Sequence, residues 1–265
     1  MFPYFTLFGR DVPMFSVMSI LGIVVAALLA SRRAPRYGLQ RSETAYYAAF
    51  AGIGLVAGAT LLFAIVHTPH VWANRQVFWE DPLGFLGHWF GGMIFYGGLF
   101  GAVGAILGYA KYAGHKGTQA LALLTPFLPL AHAFMRVGCF MAGCCYGMEA
   151  MPPWGMLFPR SLGAPQNVYI LPIQLYESAA NLVIFTGLFL YTRKENKDGV
   201  RVAAFYGLAY STARFVLEFF RGDIARGFAG ALSTSQWISI GVFLLSVVGL
   251  LVRKRAVKPI VPNED

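Results

Sequence analysis

The chain has 265 residues, 57% of them hydrophobic and only 12% charged, and its mean hydropathy is +0.58. A soluble domain carries about 25% charged residues, so this composition excludes a water-soluble globule and a disordered chain and leaves an integral membrane protein. The formal net charge of +9 would point to nucleic acid in a soluble protein, but in a membrane protein its distribution along the chain decides its meaning.

A membrane-crossing helix needs about 20 mostly apolar residues. Seven stretches meet that requirement, which predicts an all-α, polytopic fold forming a single transmembrane domain over 1–265. The first is 14–31; Arg10 alone among basic residues precedes it, so a retained helix is expected rather than a cleaved leader. The second is 44–66. Segment 67–90 follows, and its Trp72, Trp79 and Trp89 predict an interfacial arm. The third and fourth spans are 91–112 and 118–141. Segment 142–173 is too polar and too rich in Pro and Gly to cross, so it is expected as a second arm that holds an acceptor or covers a site. The last three spans are 174–192, 202–220 and 233–252. All are continuously apolar rather than alternating, as helices are and barrel strands are not. No internal repeat and no Walker, Rossmann or metalloprotease pattern is present.

Basic residues fix the expected orientation. Arg32, Arg33, Arg36 and Arg41, then Lys111 and Lys116, then Arg193, Lys194, Lys197 and Arg201, then Arg253, Lys254, Arg255 and Lys258 fall on one side. The other side holds only Arg10, Arg75, Arg160, Arg221 and Arg226. This predicts an amino terminus outside and a carboxyl terminus in the cytoplasm. Most of the positive charge is then topology and contact with anionic lipid, without nucleic acid.

Arg136 and Arg214 are left inside spans, where a cation costs at least ~2.5–3.5 kcal/mol. Helix direction puts both in the outer half of the membrane. The start of the fifth span (Gln174, Tyr176, Glu177) and the start of the third (Tyr96, Gly97, Gly98) lie at the same depth. Tyr210, Arg214 and Glu218 recur at every fourth position and share one helix face. Two guanidinium forks facing one apolar cavity match a phosphate, and the depth makes it a phospholipid headgroup. Gly97, Gly101, Gly104 and Gly108 are spaced for close helix approach. Packing suffices for Gly104 and Gly108, whereas Gly97 and Gly98 are candidates to bare backbone amides toward a ligand.

Cys139, Cys144 and Cys145 lie within seven positions. Three thiols without a nearby fourth ligand make a weak metal site, so no metal or other cofactor is expected. Covalent catalysis on a cysteine is conceivable, and small buried or vicinally oxidised cysteines are the plainer expectation. His132, one turn before Arg136, is either a proton acceptor or simply hydrogen-bonded to a neighbour.

Four stretches carry a resemblance: GGMIFYGGLFG (91–101), RVGCFMAGCCYG (136–147), PIQLYE (172–177) and YSTARFVLEFFR (210–221). Together they resemble the bacterial prolipoprotein diacylglyceryl transferase family. The resemblance implies seven helices in the cytoplasmic (inner) membrane and a site open to the outer leaflet. It implies transfer of diacylglyceryl from phosphatidylglycerol to a lipobox cysteine of a preprolipoprotein, releasing glycerol 1-phosphate. The family's essential arginines fall on Arg136 and Arg214, and their tyrosine and acid partners on Tyr210 and Glu218. Gln174, Tyr176 and Glu177 match a family run, and Gly138 and Cys139 belong to the signature stretch, as substrate contacts. The chain departs from the family at Tyr96 (histidine in typical members), at Cys139 and Ala142 (asparagines), at Cys144 (an acid) and at Thr60 (an arginine).

On this reading Arg136 and Arg214 stabilise the departing phosphate, while Glu177 and Glu218 orient them. The acceptor thiol must lose its proton, and Tyr96 or His132 would take it. A related transferase with a different acceptor, or a lipid-binding protein without chemistry, are the alternatives.

Overall fold

The computed structural model describes residues 2–73, 76–92, 94–193, 198–223 and 228–256. The fold is mostly helical, and five of its helical segments are long and apolar enough to cross a membrane: Met14–Tyr37, Glu43–Pro69, Gly117–Ala142, Ile173–Tyr191 and Thr234–Val252. Two compact units divide the chain, one made of Met1–Tyr37 with Leu121–Asp265 and the other of Gly38–Ala120.

The first unit opens with a hairpin, β1 (Tyr4–Leu7) and β2 (Arg10–Pro13), that the apolar pattern does not signal. It leads into α1 (Met14–Arg33). The buried positions of α1 are Gly22, Ala26, Ala30 and Arg33, a stripe of small residues ending in a charge. A Cβ on Gly22 would strike Phe134 and Ala131, so the missing side chain is what lets α1 approach the helix that carries them. The rest of α1 shows Ile20, Leu21, Ile23, Val24 and Leu28 outward, as a helix does whose solvent is hydrocarbon.

The fourth span, expected at 118–141, is one candidate crossing, Gly117–Ala142, with a 3₁₀ turn inside it. Helix α6 (Gly117–Leu124) gives way to a 3₁₀ turn at Thr125–Phe127, and α7 (Leu128–Ala142) follows. Pro126 and Pro129 are the cause, since neither can donate a backbone hydrogen bond. Helices α8 (Ile173–Tyr191), α9 (Gly199–Glu218) and α10 (Thr234–Ala256) complete this unit, with a short ladder, β3 (Phe228–Ala229) and β4 (Leu232–Ser233), before α10. At the end of α8, Arg33 donates to Thr192 Oγ1 at 2.8 Å and to the Phe189 carbonyl at 3.2 Å, and its guanidinium lies 3.7 Å from the centre of the Phe189 ring. Arg36 donates to the Arg193 carbonyl at 2.8 Å. Cations thus meet the negative end of the α8 dipole.

Segment 142–173 is ordered around a small core of Phe158, Ala164 and Ile170, packed on by Phe140, Tyr146, Met156 and Val168. Its backbone is tied to the end of α9: Met148 N–H donates to the Phe220 carbonyl at 2.8 Å and Gly222 N–H to the Tyr146 carbonyl at 3.1 Å.

The second unit pairs α2 (Glu43–Ala73) with α5 (Phe95–Tyr112), and α3 (Val77–Glu80) and α4 (Pro82–Phe90) lie between them in the chain. Helix α2 runs on through Pro69, past the end of the predicted span. Gly54 and Gly58 on α2 meet Gly101 and Gly97 on α5, where an added Cβ would collide with backbone. Glycine therefore sets this contact. Gly98 is buried against Leu55 and Ala59, and its N–H is donated to the Ile94 carbonyl at 3.2 Å, so Gly97 and Gly98 serve helix packing. Gly104 and Gly108 have nothing within 4 Å of a built Cβ, the reverse of the packing expected for them.

Candidate active site

Three helices and one loop of the first unit deliver charge to one point. Helix α7 supplies Arg136, the second turn of α8 supplies Glu177, and α9 supplies Arg214 and Glu218. Arg214 Nη1 lies 2.6 Å from Glu177 Oε1, and Arg136 Nε lies 3.0 Å from Glu177 Oε2. One carboxylate therefore bridges both guanidiniums. Arg214 Nη2 lies 2.7 Å from Glu218 Oε2 and donates to Ser235 Oγ at 3.2 Å.

A third cation joins them. Arg221 holds Asp223 through two bonds, Nε to Oδ1 at 2.9 Å and Nη2 to Oδ2 at 2.6 Å, and its Nη1 lies 3.7 Å from Glu177 Oε1. Burial works against its charge, but Asp223 and then Glu177 outweigh that effect, so its pKa lies above the ordinary arginine value. The charge distribution places Arg221 in an outer connection, without a part in the site. It stands seven residues, or two turns, beyond Arg214, and that spacing would have placed it on the same face.

Glu218 is held from the start of α10. Ser233 Oγ donates to Glu218 Oε1 at 2.9 Å and accepts from Gln236 N–H at 3.2 Å, while Ser233 N–H donates to Gln236 Oε1 at 2.9 Å. Ser233-Thr234-Ser235-Gln236 is thus a capping box, a pattern legible in the sequence.

A small, partly open cavity adjoins the cluster. His132, Arg136, Glu177, Asn181, Tyr210 and Arg214 form its polar lining, and Ala180, Ile184, Ala213 and Leu217 its apolar part. Tyr210 packs its ring 5.4 Å from that of His132. His132 Nε2 accepts from Arg136 Nε at 3.3 Å, which is the hydrogen-bonded role and not that of a free base. Asn181, a turn beyond Glu177, donates to the Glu177 carbonyl at 2.8 Å, and its own Oδ1 is buried with no hydrogen-bond donor among the described residues. An acceptor so placed suits a hydroxyl.

Other expected site residues have structural work. Gln174 is fully buried and donates to the Cys144 carbonyl at 2.7 Å, bracing the loop instead of lining the cavity. Gly138 faces Met18 and Phe15 of α1, where a Cβ would be crowded. Tyr176 is 38% exposed and not part of the lining. Tyr96 is the second residue of α5, but its side chain lies outside the described residues.

The thiols lie beside the arginines. Gly143, at φ +71°, ends α7 and returns Cys144 N–H to the Cys139 carbonyl at 3.2 Å. Cys145 then takes a left-handed conformation at φ +56°, uncommon for a residue with a Cβ. The three sulfurs lie within 4.8 Å of one another. Cys144 Sγ donates to the Cys139 carbonyl at 3.7 Å, and the positive fields of Arg221 and Arg136 act on the Cys145 thiol.

Apolar helices long enough to cross a membrane, converging on a buried arginine–carboxylate cluster beside a small cavity of mixed polar and apolar lining, define the class as an integral membrane protein with a charged internal site. Residues 3–252 match the family model described as prolipoprotein diacylglyceryl transferase. A phosphatidylglycerol–prolipoprotein diacylglyceryl transferase of Clostridium tetani is 34% identical, with 92% of this chain and 96% of that protein covered. Similar proteins of the same name occur in Geobacter sulfurreducens (33% identical; 97% and 96% covered) and, numbered 2, in Clostridium perfringens (32%; 94% and 95%). The chain belongs to the prolipoprotein diacylglyceryl transferase family.

Proposed function

We propose that this chain transfers the diacylglyceryl group of phosphatidylglycerol to the thiol of a lipobox cysteine in a preprolipoprotein, releasing glycerol 1-phosphate. Family membership supports the reaction. The observation that carries the residue assignment is the meeting of Arg136 and Arg214 on Glu177 at the edge of the cavity.

The chemistry follows from where charge develops. As the glycerol carbon leaves the phosphate oxygen, negative charge builds on the departing phosphate. Arg136 and Arg214 meet it with donors already oriented by Glu177 and Glu218, and in a site of low dielectric such pre-positioned donors contribute most. Arg221, held by Asp223, adds a third positive field. Tyr210 hydrogen-bonds to the headgroup from beside Arg136, and Asn181 Oδ1 accepts from a hydroxyl of the headgroup glycerol. Ala180, Ile184, Ala213 and Leu217 face the start of the acyl chains.

In the membrane we assign seven crossings, to α1, α2, α5, α6 with α7, α8, α9 and α10. The amino terminus is outside, the carboxyl terminus is in the cytoplasm, and the site lies near the outer leaflet of the bacterial inner membrane. Helix α9 falls short of the apolar spans because it carries Arg201, Arg214 and Glu218. The segments at 67–90 and 142–173 lie on the outer side.

Incubation of the purified protein with micelles containing phosphatidylglycerol and a lipobox peptide tests the reading. The expected result is a peptide heavier by one diacylglyceryl group and an equal amount of glycerol phosphate. Glycerol phosphate without modified peptide would mean another acceptor, and neither product would mean a lipid-binding protein without chemistry.

A further inference from the structure

The transfer reaction alkylates a thiol, and a thiol must become a thiolate before it attacks. Within the cluster, His132 is occupied by Arg136, and the two glutamates are occupied by guanidiniums. The thiol trio beside the cluster has no part in the phosphate chemistry. We propose that Cys139, Cys144 and Cys145 bind one Zn²⁺ ion through three thiolates, and that the acceptor cysteine enters as its fourth ligand.

Geometry supports the site. A Zn–S bond is about 2.3 Å long, so tetrahedral ligand sulfurs stand about 3.8 Å apart, and these three lie within 4.8 Å of one another. Small side-chain rotations close the set, whereas a disulfide would require two sulfurs to reach about 2.05 Å and leave the third unused. Soft thiolates select zinc or a similarly thiophilic ion. Among the described residues no histidine or carboxylate joins the three. Three protein ligands with one open position are the pattern of a catalytic zinc, and four that of a structural one.

The backbone is shaped for the same purpose. The left-handed Gly143 turns Cys144 back over the last turn of α7 toward Cys139. Cys145 holds the left-handed conformation that a residue with a Cβ avoids, and such conformations gather at functional sites. Gln174 fixes the Cys144 carbonyl from α8, the kind of outer support that ligating residues receive. Three thiolates on one Zn²⁺ carry a net negative charge, and the fields of Arg136 and Arg221 both reach Cys145. Cys139 is three residues from Arg136, less than one helical turn, so an acceptor sulfur on the ion would stand beside the phosphate donors.

The step balances. The acceptor thiol binds as thiolate and its proton passes to solvent. Its sulfur forms a bond to the glycerol carbon, the bond from that carbon to the phosphate oxygen breaks, and the electron pair departs with glycerol phosphate. The ion is neither oxidised nor reduced. This role rests on the transferase reading above.

The test uses the full chain purified under reducing conditions, stripped with a chelator, and titrated with Co²⁺ as a visible substitute for Zn²⁺. We expect one ion per chain, with thiolate-to-cobalt charge-transfer absorption and the strong visible bands of tetrahedral cobalt. A lipobox peptide should shift those bands, and its Cys→Ser counterpart should not. Stripping should lower peptide modification roughly tenfold or more, and one equivalent of Zn²⁺ should restore it. Cys144→Ser should weaken cobalt binding in protein whose melting behaviour confirms that it is folded. Absence of the charge-transfer band in the wild-type chain overturns the site. Equal transfer by stripped and loaded protein overturns the role of the ion and leaves the transferase reading standing. No peptide modification by either form overturns that reading and the ion's role with it, while the absorption still decides the site.

Discussion

Arg214 and Glu177, thirty-seven residues apart, are joined by a 2.6 Å contact between Nη1 and Oε1. The pair ties α9 to α8, and because the other oxygen of Glu177 takes Arg136, it ties α7 as well. Glu177 is buried and Arg214 mostly so. Breaking such a pair by removing one partner costs about 3–5 kcal/mol, since the survivor stays charged in a place without water.

Arg214→Lys separates charge from geometry. A single ammonium cannot reach Glu177, Glu218 and Ser235 together as the planar fork does. Peptide lipidation is expected to fall by about 10²-fold or more, with the amount of protein in the membrane unchanged. Wild-type turnover in this variant would count against the phosphate role.

Glu177→Gln keeps the shape of the side chain and removes the negative charge that faces three guanidiniums. The expected result is a protein destabilised by about 3 kcal/mol, seen as an earlier thermal transition in detergent. Lipidation is expected to fall as well, since Arg136 and Arg214 lose their common anchor. A transition unchanged from wild type would show that Glu177 does not hold the cluster.

Ser233→Ala removes the hydroxyl that caps α10 and donates to Glu218. The expected loss is about 1–2 kcal/mol, measured by thermal unfolding, and Ser233→Thr should recover most of it. No loss in the alanine variant would mean that the cap is replaced by another group.

Gly97→Ala and Gly104→Ala form a matched pair on one helix. At Gly97 the new methyl would collide with the Gly58 carbonyl of α2, while at Gly104 it meets open space. The first variant is expected to lose stability, and the second to gain up to about 1 kcal/mol from alanine's better helix propensity. Similar behaviour of the two in thermal unfolding would argue against the glycine contact.

Much of this architecture is legible from hydropathy alone, because spans are long and water-free segments must be helical. The two buried arginines stand out for a related reason: nothing else in an apolar span is as costly, so a cation there implies a partner. What periodicity does not carry is the work of loops. Cys144 and Cys145 reach Cys139 through the left-handed Gly143, a tertiary consequence of one glycine after a helix. Arg221 joins the site because strand-like bonds from Tyr146 and Met148 hold the chain beyond α9 in place. The 3₁₀ turn inside the fourth span follows from Pro126 and Pro129, which hydropathy counts as part of the apolar run.

Arg33 and Arg36, which hold the far end of α8, have a mechanical meaning. Glu177 and Phe189 are twelve residues apart, about 18 Å along the axis, and α8 is fastened at both. It is a strut that cannot slide like a piston. On the proposed reaction, lipid entry then falls to side chains that swing, while the carboxylate at the head of α8 keeps a constant height.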